Sequence, residues 1–423
     1  MRAAGSRRAS PTRSVSPPSR RSPWPTGGRG QGGPCGPATL LNGLSVVNWN
    51  PSNPDGPRSV VAALSGGVDS SVAAALLVEQ GYAVTGVMLR LWAEPGATRD
   101  NLCCTPDAVN RARAVADLLS IPFHLLDVRD LFRRAVVGYF VAEYASARTP
   151  NPCIPCNREV RFGTLLRWAR EQGADYLATG HYARVRRVGD RYQLLRGRDP
   201  AKDQSYVLHI LTQEQLAHVL FPLGDLSKAE VREIARRKGL PVAEQPESQD
   251  VCFLADGDYR RFLAEVAPET ARPGPVLDTS GRVLGEHRGL VNYTIGQRKG
   301  IGVAAPYPLY VLALDPARNV LVVGPEEGLG QGECTVTRMH YVSGEEPPGP
   351  FTATAKIRYR HREVEVVAAP LAGGRLYVRF AHPQRDVTPG QYLVLYDGEE
   401  VLGGGVISGR GHVGLFKVPT QAR

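Results

Sequence analysis

Residues 59–71 read SVVAALSGGVDSS, and no other stretch constrains the fold as strongly. Ser59–Leu64 is a short, unbroken apolar run, the pattern of a parallel strand buried on both faces. Two glycines follow, then a helical run from Ser71 to Gln80 that Gly81 closes. Strand, glycine turn, helix is the order found in α/β sheets, where the turn faces a ligand. The glycines let backbone N–H groups approach an anion. Ser65, Ser70 and Ser71 add hydroxyl donors beside the positive end of the helix dipole. Asp69 offers a carboxylate for Mg²⁺ bridging phosphate oxygens. The lysine-bearing G-x-x-x-x-G-K-[ST] pattern does not occur here, so this is a different kind of phosphate loop. The bland alternative is an ordinary Gly- and Ser-rich turn.

The alternation continues downstream. Ala83–Leu91, Phe123–Val128 and Tyr176–Thr179 read as strands. Between them come helices: one opening at Thr105-Pro106-Asp107, then Phe132–Ala147 and Phe162–Gln172. The expected fold class is therefore α/β, with a doubly wound parallel-sheet domain over 58–210. Residues 211–330 form a helical segment, including Ser227–Lys238 behind a cap-like serine, and a small central linking domain. Past about residue 275 the pattern turns to short strands such as Thr352–Tyr359, Arg375–Phe380 and Gln391–Tyr396. With Asp397-Gly398 as a hairpin turn, residues 331–423 read as a C-terminal β-barrel-like domain.

A chain of 423 residues is long enough for two or three such units. The net charge of +10 is concentrated in residues 1–57, where seven arginines face a single acid, Asp55. Those residues also carry 10 Pro, 9 Gly and 8 Ser. Such a composition buries too little apolar surface to offset chain entropy, so a disordered basic tail is expected. A transit segment, or a reading frame started too early, are the alternatives. No apolar run has the length of a membrane span, which points to a cytoplasmic protein, or an organellar one if the tail is a transit peptide.

Seven cysteines in a chain this long make no disulfide scaffold. Thr149-Pro150-Asn151-Pro152-Cys153-Ile154-Pro155-Cys156-Asn157 reads as a proline-stiffened loop bearing two thiols, and Cys252 follows in Ser248-Gln249-Asp250-Val251-Cys252-Phe253. A thiolate accepts a sulfane sulfur as a persulfide, and a second thiol can release it by disulfide exchange. The competing reading is a zinc knuckle with Cys103-Cys104 as the second pair, although adjacent cysteines suit one tetrahedral site poorly. Cys35 and Cys334 read as incidental.

SGGVDSS (65–71) resembles the ATP-pyrophosphatase, or PP-loop, superfamily, whose members cleave ATP between its α- and β-phosphates. Further segments narrow the resemblance to the tRNA-specific 2-thiouridylases, over residues 59 to about 408. They are Cys103-Cys104, TPNPCIPCNREVRFG (149–163), ATGHYAR (178–184), AKDQSYVL (201–208), ESQDVCF (247–253), NYTIGQRKGIG (292–302) and PGQYLVLYDGEEVLGGGVI (389–407). The resemblance implies that Ala63, Leu64, Ser65, Gly66, Gly67, Val68, Asp69 and Ser70 cradle ATP, with Met88, Leu89 and Gly180 lining the same site. It makes Cys156 the catalytic nucleophile and Cys252 the persulfide carrier. It sets Asn151 and Pro152 beside the target base, and His181, Lys202, Asp203, Gln204, Arg358, Tyr359 and Gln391 against the tRNA. The implied partners are a tRNA with a wobble uridine and a protein donating persulfide sulfur to a monomeric enzyme.

Many members carry Asp where this chain has Cys153. The substitution creates a set of three thiols, Cys153, Cys156 and Cys252, that could hold an iron–sulfur cluster. Lys356, Arg358 and Arg360, on one face of the expected strand, could meet phosphates. Two rivals stay open: an amidating PP-loop ligase, and a zinc-stabilised RNA-binding protein with no activity.

Overall fold

The structure, a computed structural model, describes residues 57–94, 105–246 and 251–410. The tail up to residue 56, Cys35, Cys103-Cys104 and residues 247–250 of ESQDVCF lie outside the described residues. No described helix is long and apolar enough to cross a membrane.

The first seven strands are β1 (Ser59–Leu64), β2 (Ala83–Arg90), β3 (Phe123–Asp127), β4 (Tyr176–Ala178), β5 (Ala183–Val188), β6 (Arg191–Arg196) and β7 (Val219–Leu220). Five of them form a parallel sheet in the order β3-β2-β1-β4-β7. β1 is central, and both its faces are covered: Val60 and Val61 are fully buried. That burial is why its sequence is an apolar run instead of an alternation. The chain leaves β1 towards β2 on one side and later adds β4 on the other. The β1 turn therefore lies at the topological switch point, where such sheets bind ligands. Helix α1 (Val68–Glu79) follows it, buried on nearly every side between the sheet and the helix Lys228–Arg237.

Two stretches differ from the sequence reading. Residues 149–157 are no proline-stiffened loop, because a helical stretch begins at Cys153 and runs through Cys153–Pro155, Cys156–Leu165 and Leu166–Glu171. Asn151 Oδ1 accepts the Cys153 N–H at 3.1 Å, and Pro152 follows it. This is cap chemistry: a side-chain acceptor, then a proline where no N–H is missed. The middle part is wound wide, and a Cβ at Gly163 would meet Arg158 O at 2.6 Å. Residues 183–196, expected within the parallel domain, form an antiparallel hairpin, β5–β6, turned at Gly189-Asp190.

Downstream, β8 (Gly274–Leu277), β9 (Val283–His287), β10 (Tyr310–Asp315) and β11 (Val320–Gly324) make a four-stranded sheet, order β10-β11-β8-β9. The last six strands are β12 (Gln331–Tyr341), β13 (Phe351–Lys356), β14 (Val364–Leu371), β15 (Arg375–Gln384), β16 (Tyr392–Asp397) and β17 (Glu400–Arg410). They run β12-β15-β14-β13-β16-β17, and β17 pairs back onto β12 to close a barrel. Gly403-Gly404-Gly405 makes the closure possible: Cβ atoms there would meet His340 O at 2.2 Å, Leu393 O at 2.7 Å and Thr337 O at 2.7 Å. β6 joins the barrel sheet through Leu195 opposite Glu400. The strand expected over 352–359 ends at Lys356. Ile357 is buried and the chain bends at Arg358, so Lys356, Arg358 and Arg360 do not share a strand face.

Candidate active site

Gly66 adopts φ +73°, and a Cβ there would meet Ala108 O at 2.5 Å. Gly180 flanks the turn from β4, where a Cβ would meet Asp69 C and Ser70 N at 2.8 Å. Both glycines are thus required by close backbone approach. No side chain caps α1, so its leading N–H groups are left to a ligand. The serines do something other than expected. Ser70 Oγ accepts from Ser65 N (3.1 Å) and donates to Gly67 O (3.2 Å), and Ser71 Oγ donates to Gly67 O (2.8 Å). These two hydroxyls hold the shape of the turn, which Val68 anchors in the core. Arg111 Nε donates to Gly66 O at 3.2 Å.

Asp69 Oδ1 receives the Tyr182 hydroxyl at 2.8 Å and Lys228 Nζ at 2.6 Å. Neither partner was singled out in the sequence. Tyr182 sits in the quoted ATGHYAR, but Lys228 lies 159 residues from Asp69 on a separate helix, where nothing local marks it. The Asp69 side chain keeps 35% exposure, enough for one carboxylate oxygen to reach Mg²⁺, which is ordinarily held by one or two carboxylates and substrate phosphates. The residues therefore fit a phosphate-bound magnesium ion. Met88 pairs with Leu64 in register at the mouth of the turn; its side chain is buried, whereas Leu89 is half-buried.

Leu89 leads to the thiols. Cys156 is buried in an apolar cluster with Leu91, Phe132, Phe140, Val160 and Phe253; Leu89 and the half-buried Cys252 pack against that cluster. The two cysteines singled out for sulfur chemistry thus border one apolar cluster, against which Leu89 of β2 also packs. The segment carrying Cys252 is tied down by Glu94. This buried carboxylate takes Arg261 through two 2.7 Å bonds and the Ala255 N–H at 2.9 Å. Cys153, one helical turn before Cys156, is exposed. The protein around its thiol raises its pKa, while the Arg161 guanidinium pulls it down. Among the described residues no three His, Cys, Asp or Glu side chains converge as a metal site. Among the described residues, then, Cys153, Cys156 and Cys252 are not gathered as ligands of an iron–sulfur cluster, while the zinc knuckle expected with Cys103-Cys104 falls outside the described residues.

The other two sheets grip the residues just before Cys153. Pro389 O accepts the Thr149 N–H at 3.0 Å, and Gln391 Nε2 donates to Thr149 O at 2.9 Å. Thr149 Oγ1 also reaches Thr294 Oγ1, at 3.5 Å. Several residues expected against tRNA have internal partners. His181 is buried with Nδ1 2.7 Å from Thr179 Oγ1, and burial lowers its pKa to about 3, so it is neutral. Asp203 is buried and accepts Gly197 N and Ser205 N at 3.1 and 3.0 Å. Gln204 exchanges two bonds with the Tyr182 backbone. Arg358 donates to Thr388 Oγ1 and to Ile295 O. Lys202 and Tyr359 are half-buried, the latter within electrostatic reach of Cys153.

Comparison with known proteins agrees with this architecture. Residues 58–256 match the tRNA methyl transferase HUP domain, 260–325 the tRNA methyl transferase PRC-barrel domain and 331–407 the aminomethyltransferase beta-barrel domain. The tRNA-specific 2-thiouridylase MnmA of Moorella thermoacetica is 54% identical over 351 residues, 82% of this chain and 98% of that one. The protein of the same name from Roseiflexus castenholzii is 48% identical over 366 residues, 82% of this chain and 99% of that one. The chain therefore belongs to the tRNA-specific 2-thiouridylase family.

Proposed function

We propose that the protein is an ATP-dependent sulfurtransferase that 2-thiolates the wobble uridine of tRNA. The observation that carries this reading is one apolar cluster that holds Cys156 and has Cys252 and Leu89, the neighbour of Met88 on β2, packed against it. An amidating ligase would have no use for that thiol pair.

The uncapped N–H groups of α1 bind the phosphates of ATP, and Gly66 and Gly180 keep side chains out of their way. Mg²⁺, held by Asp69, would neutralise charge on the departing pyrophosphate. The base is splayed from the anticodon stack to reach Asn151 and Pro152, as recognition of unpaired bases requires. Its C2 oxygen attacks the α-phosphorus and pyrophosphate leaves. The terminal sulfur of a Cys252 persulfide, supplied by a donor protein, then attacks C2, and AMP leaves. The Cys156 thiolate attacks Cys252 Sγ and breaks the S–S bond. The electron pair goes to the sulfur on C2, giving the thiocarbonyl and a Cys156–Cys252 disulfide. The apolar wall of Phe132, Phe140 and Phe253 keeps water from the persulfide and from the activated carbon.

Nucleoside analysis of tRNA incubated with the protein, ATP and a persulfide donor tests this. Cys156→Ser and Cys252→Ser should each abolish 2-thiouridine while leaving tRNA binding intact, and the nucleotide products should be AMP and pyrophosphate. ADP and phosphate as products would overturn the assignment.

A further inference from the structure

Each turnover in that scheme leaves a disulfide between Cys156 and Cys252, which has to be reduced before Cys252 can be loaded again. Its place in the fold makes that difficult: Cys156 is buried and Cys252 packs against the same aromatic cluster. The exposed thiol nearest to Cys156 in the chain is Cys153. The two are one tight turn apart, for the Cys156 N–H bonds back to Cys153 O and, at 3.2 Å, to Pro152 O. A bond from residue i+3 to residue i brings the two side chains to the same face of the helix, with Cβ atoms about 5–6 Å apart. Disulfide geometry asks for about 4 Å, a shift that a terminal helical turn can supply. The pair stands at the start of a helix, outer thiol exposed and inner thiol buried, with Pro155 between them. The pair shares its spacing and its place at a helix start with C-x-x-C centres that exchange disulfides, although the surrounding protein raises the Cys153 pKa instead of lowering it.

We propose that Cys153 is the recycling thiol: it resolves the Cys156–Cys252 disulfide and presents the outcome to a dithiol reductant protein. The Cys153 thiolate attacks Cys156 Sγ, the Cys156–Cys252 bond breaks and Cys252 leaves as a thiolate, ready for a new sulfur. No net oxidation occurs in that exchange. The resulting Cys153–Cys156 disulfide has its outer sulfur at the solvent-accessible residue of the pair, though walled by neighbouring protein. There the reductant's first thiolate attacks Cys153 and its second closes the reductant's own disulfide, so two electrons pass to the enzyme. The three cysteines thus divide the labour: Cys252 carries sulfur, Cys156 releases it and Cys153 restores the pair. This inference rests on the persulfide reading above.

The test uses the full chain, loaded with persulfide and given one equivalent of tRNA with ATP. Wild type and Cys153→Ser should form equal 2-thiouridine in that first turnover. Peptide mass spectrometry should then find Cys153–Cys156 bridged in the wild type and Cys156–Cys252 in the variant. On adding a thioredoxin-type dithiol protein, the wild type should regain its thiols at least about tenfold faster than the variant. Unfolding the variant in urea first should abolish the difference, because burial is its cause. Equal recovery by the folded variant would overturn the proposal, as would loss of its first turnover, which would make Cys153 essential to transfer itself. A wild type that makes 2-thiouridine without any protein disulfide would overturn the persulfide reading as well, a result visible without the variant.

Discussion

Lys228 Nζ lies 2.6 Å from Asp69 Oδ1, joining the capped helix Lys228–Arg237 to the phosphate turn across 159 residues of sequence. The Lys228 side chain is only 13% exposed, so its ammonium is held at the turn instead of roaming in solvent. A loop without a lysine of its own thereby gains a fixed positive charge next to the leading N–H groups of α1. Lys228→Met should lower the rate of AMP formation by about two orders of magnitude, the usual cost of removing one preorganised donor. Lys228→Arg should recover part of it, and tRNA binding should be unchanged. Wild-type AMP release from the Met variant would reduce Lys228 to a packing residue.

Glu94 makes the corresponding prediction for the thiol site. The Arg261 guanidinium holds its carboxyl below the usual carboxylate range, against a desolvation that opposes ionisation. A depressed carboxylate stabilises the fold above its unfolded pKa and loses that contribution as pH falls through its folded value. Arg261→Gln would strand this buried charge at a cost of about 2–3 kcal/mol. The loss falls on the segment carrying Cys252. Alkylation of Cys252, followed by mass spectrometry, should therefore quicken severalfold, while Cys334 in the barrel core stays protected. Unchanged Cys252 reactivity would mean that the segment is held by other contacts.

The parts of the fold written in local pattern were legible in the sequence. β1 and α1 announce themselves because burial on two faces demands an apolar run and close approach demands glycines. The barrel is heralded by alternation and by Asp397-Gly398. Lys228 was not legible, since its partner is set by how two helices pack. Prolines at 150, 152 and 155 suggested a stiff loop, yet Asn151 with Pro152 is equally a helix start, and the structure takes that option. Alternation in Arg184–Arg196 across Gly189-Asp190 carried a hairpin signal that the neighbouring parallel pattern hid. At Lys356–Arg362 the basic residues suggested an exposed face. Burying Ile357 turns the chain, and Arg358 points inward to Thr388.

Gly390 tests whether the barrel holds the thiol-bearing helix in place. It adopts φ +90°, and a Cβ there would meet Arg148 Cβ at 2.8 Å and Thr149 N at 2.9 Å. Gly390→Ala should strain the backbone and push the Thr149 segment from its seat, costing about 1–3 kcal/mol. Gln391→Ala, which removes the amide's bonds to Thr149 O and Pro150 O without backbone strain, should cost about 1 kcal/mol. The lever from Thr149 to Cys153 is short, so thiolation should fall further in Gly390→Ala than its loss in melting temperature explains. Equal proportional losses of activity and stability in the two variants would show that the barrel merely stabilises.

His209 and His181 contribute to the acid limb of stability. Burial lowers each to about 3; Arg161 adds to the effect at His181, and His340 and Arg158 add to it at His209, against the Tyr206 carbonyl. Both are neutral in the fold, whereas in the unfolded chain each takes a proton near pH 6.5. Between those values the unfolded state binds more protons, so stability falls as pH falls. The slope approaches about 1.4 kcal/mol per pH unit for each histidine. His209 Nδ1 lies 2.7 Å from Tyr206 O, and its buried Nε2 has no partner, so protonation there would leave a cationic N–H unmatched. His209→Asn keeps a donor for Tyr206 O and removes the titration. Urea unfolding at pH 7, 5.5 and 4.5 should give a steep decline for the wild type. In the variant that decline should be shallower by about 1.4 kcal/mol per pH unit, although it starts less stable at pH 7. Parallel declines would place the acid sensitivity in the carboxylate pairs instead.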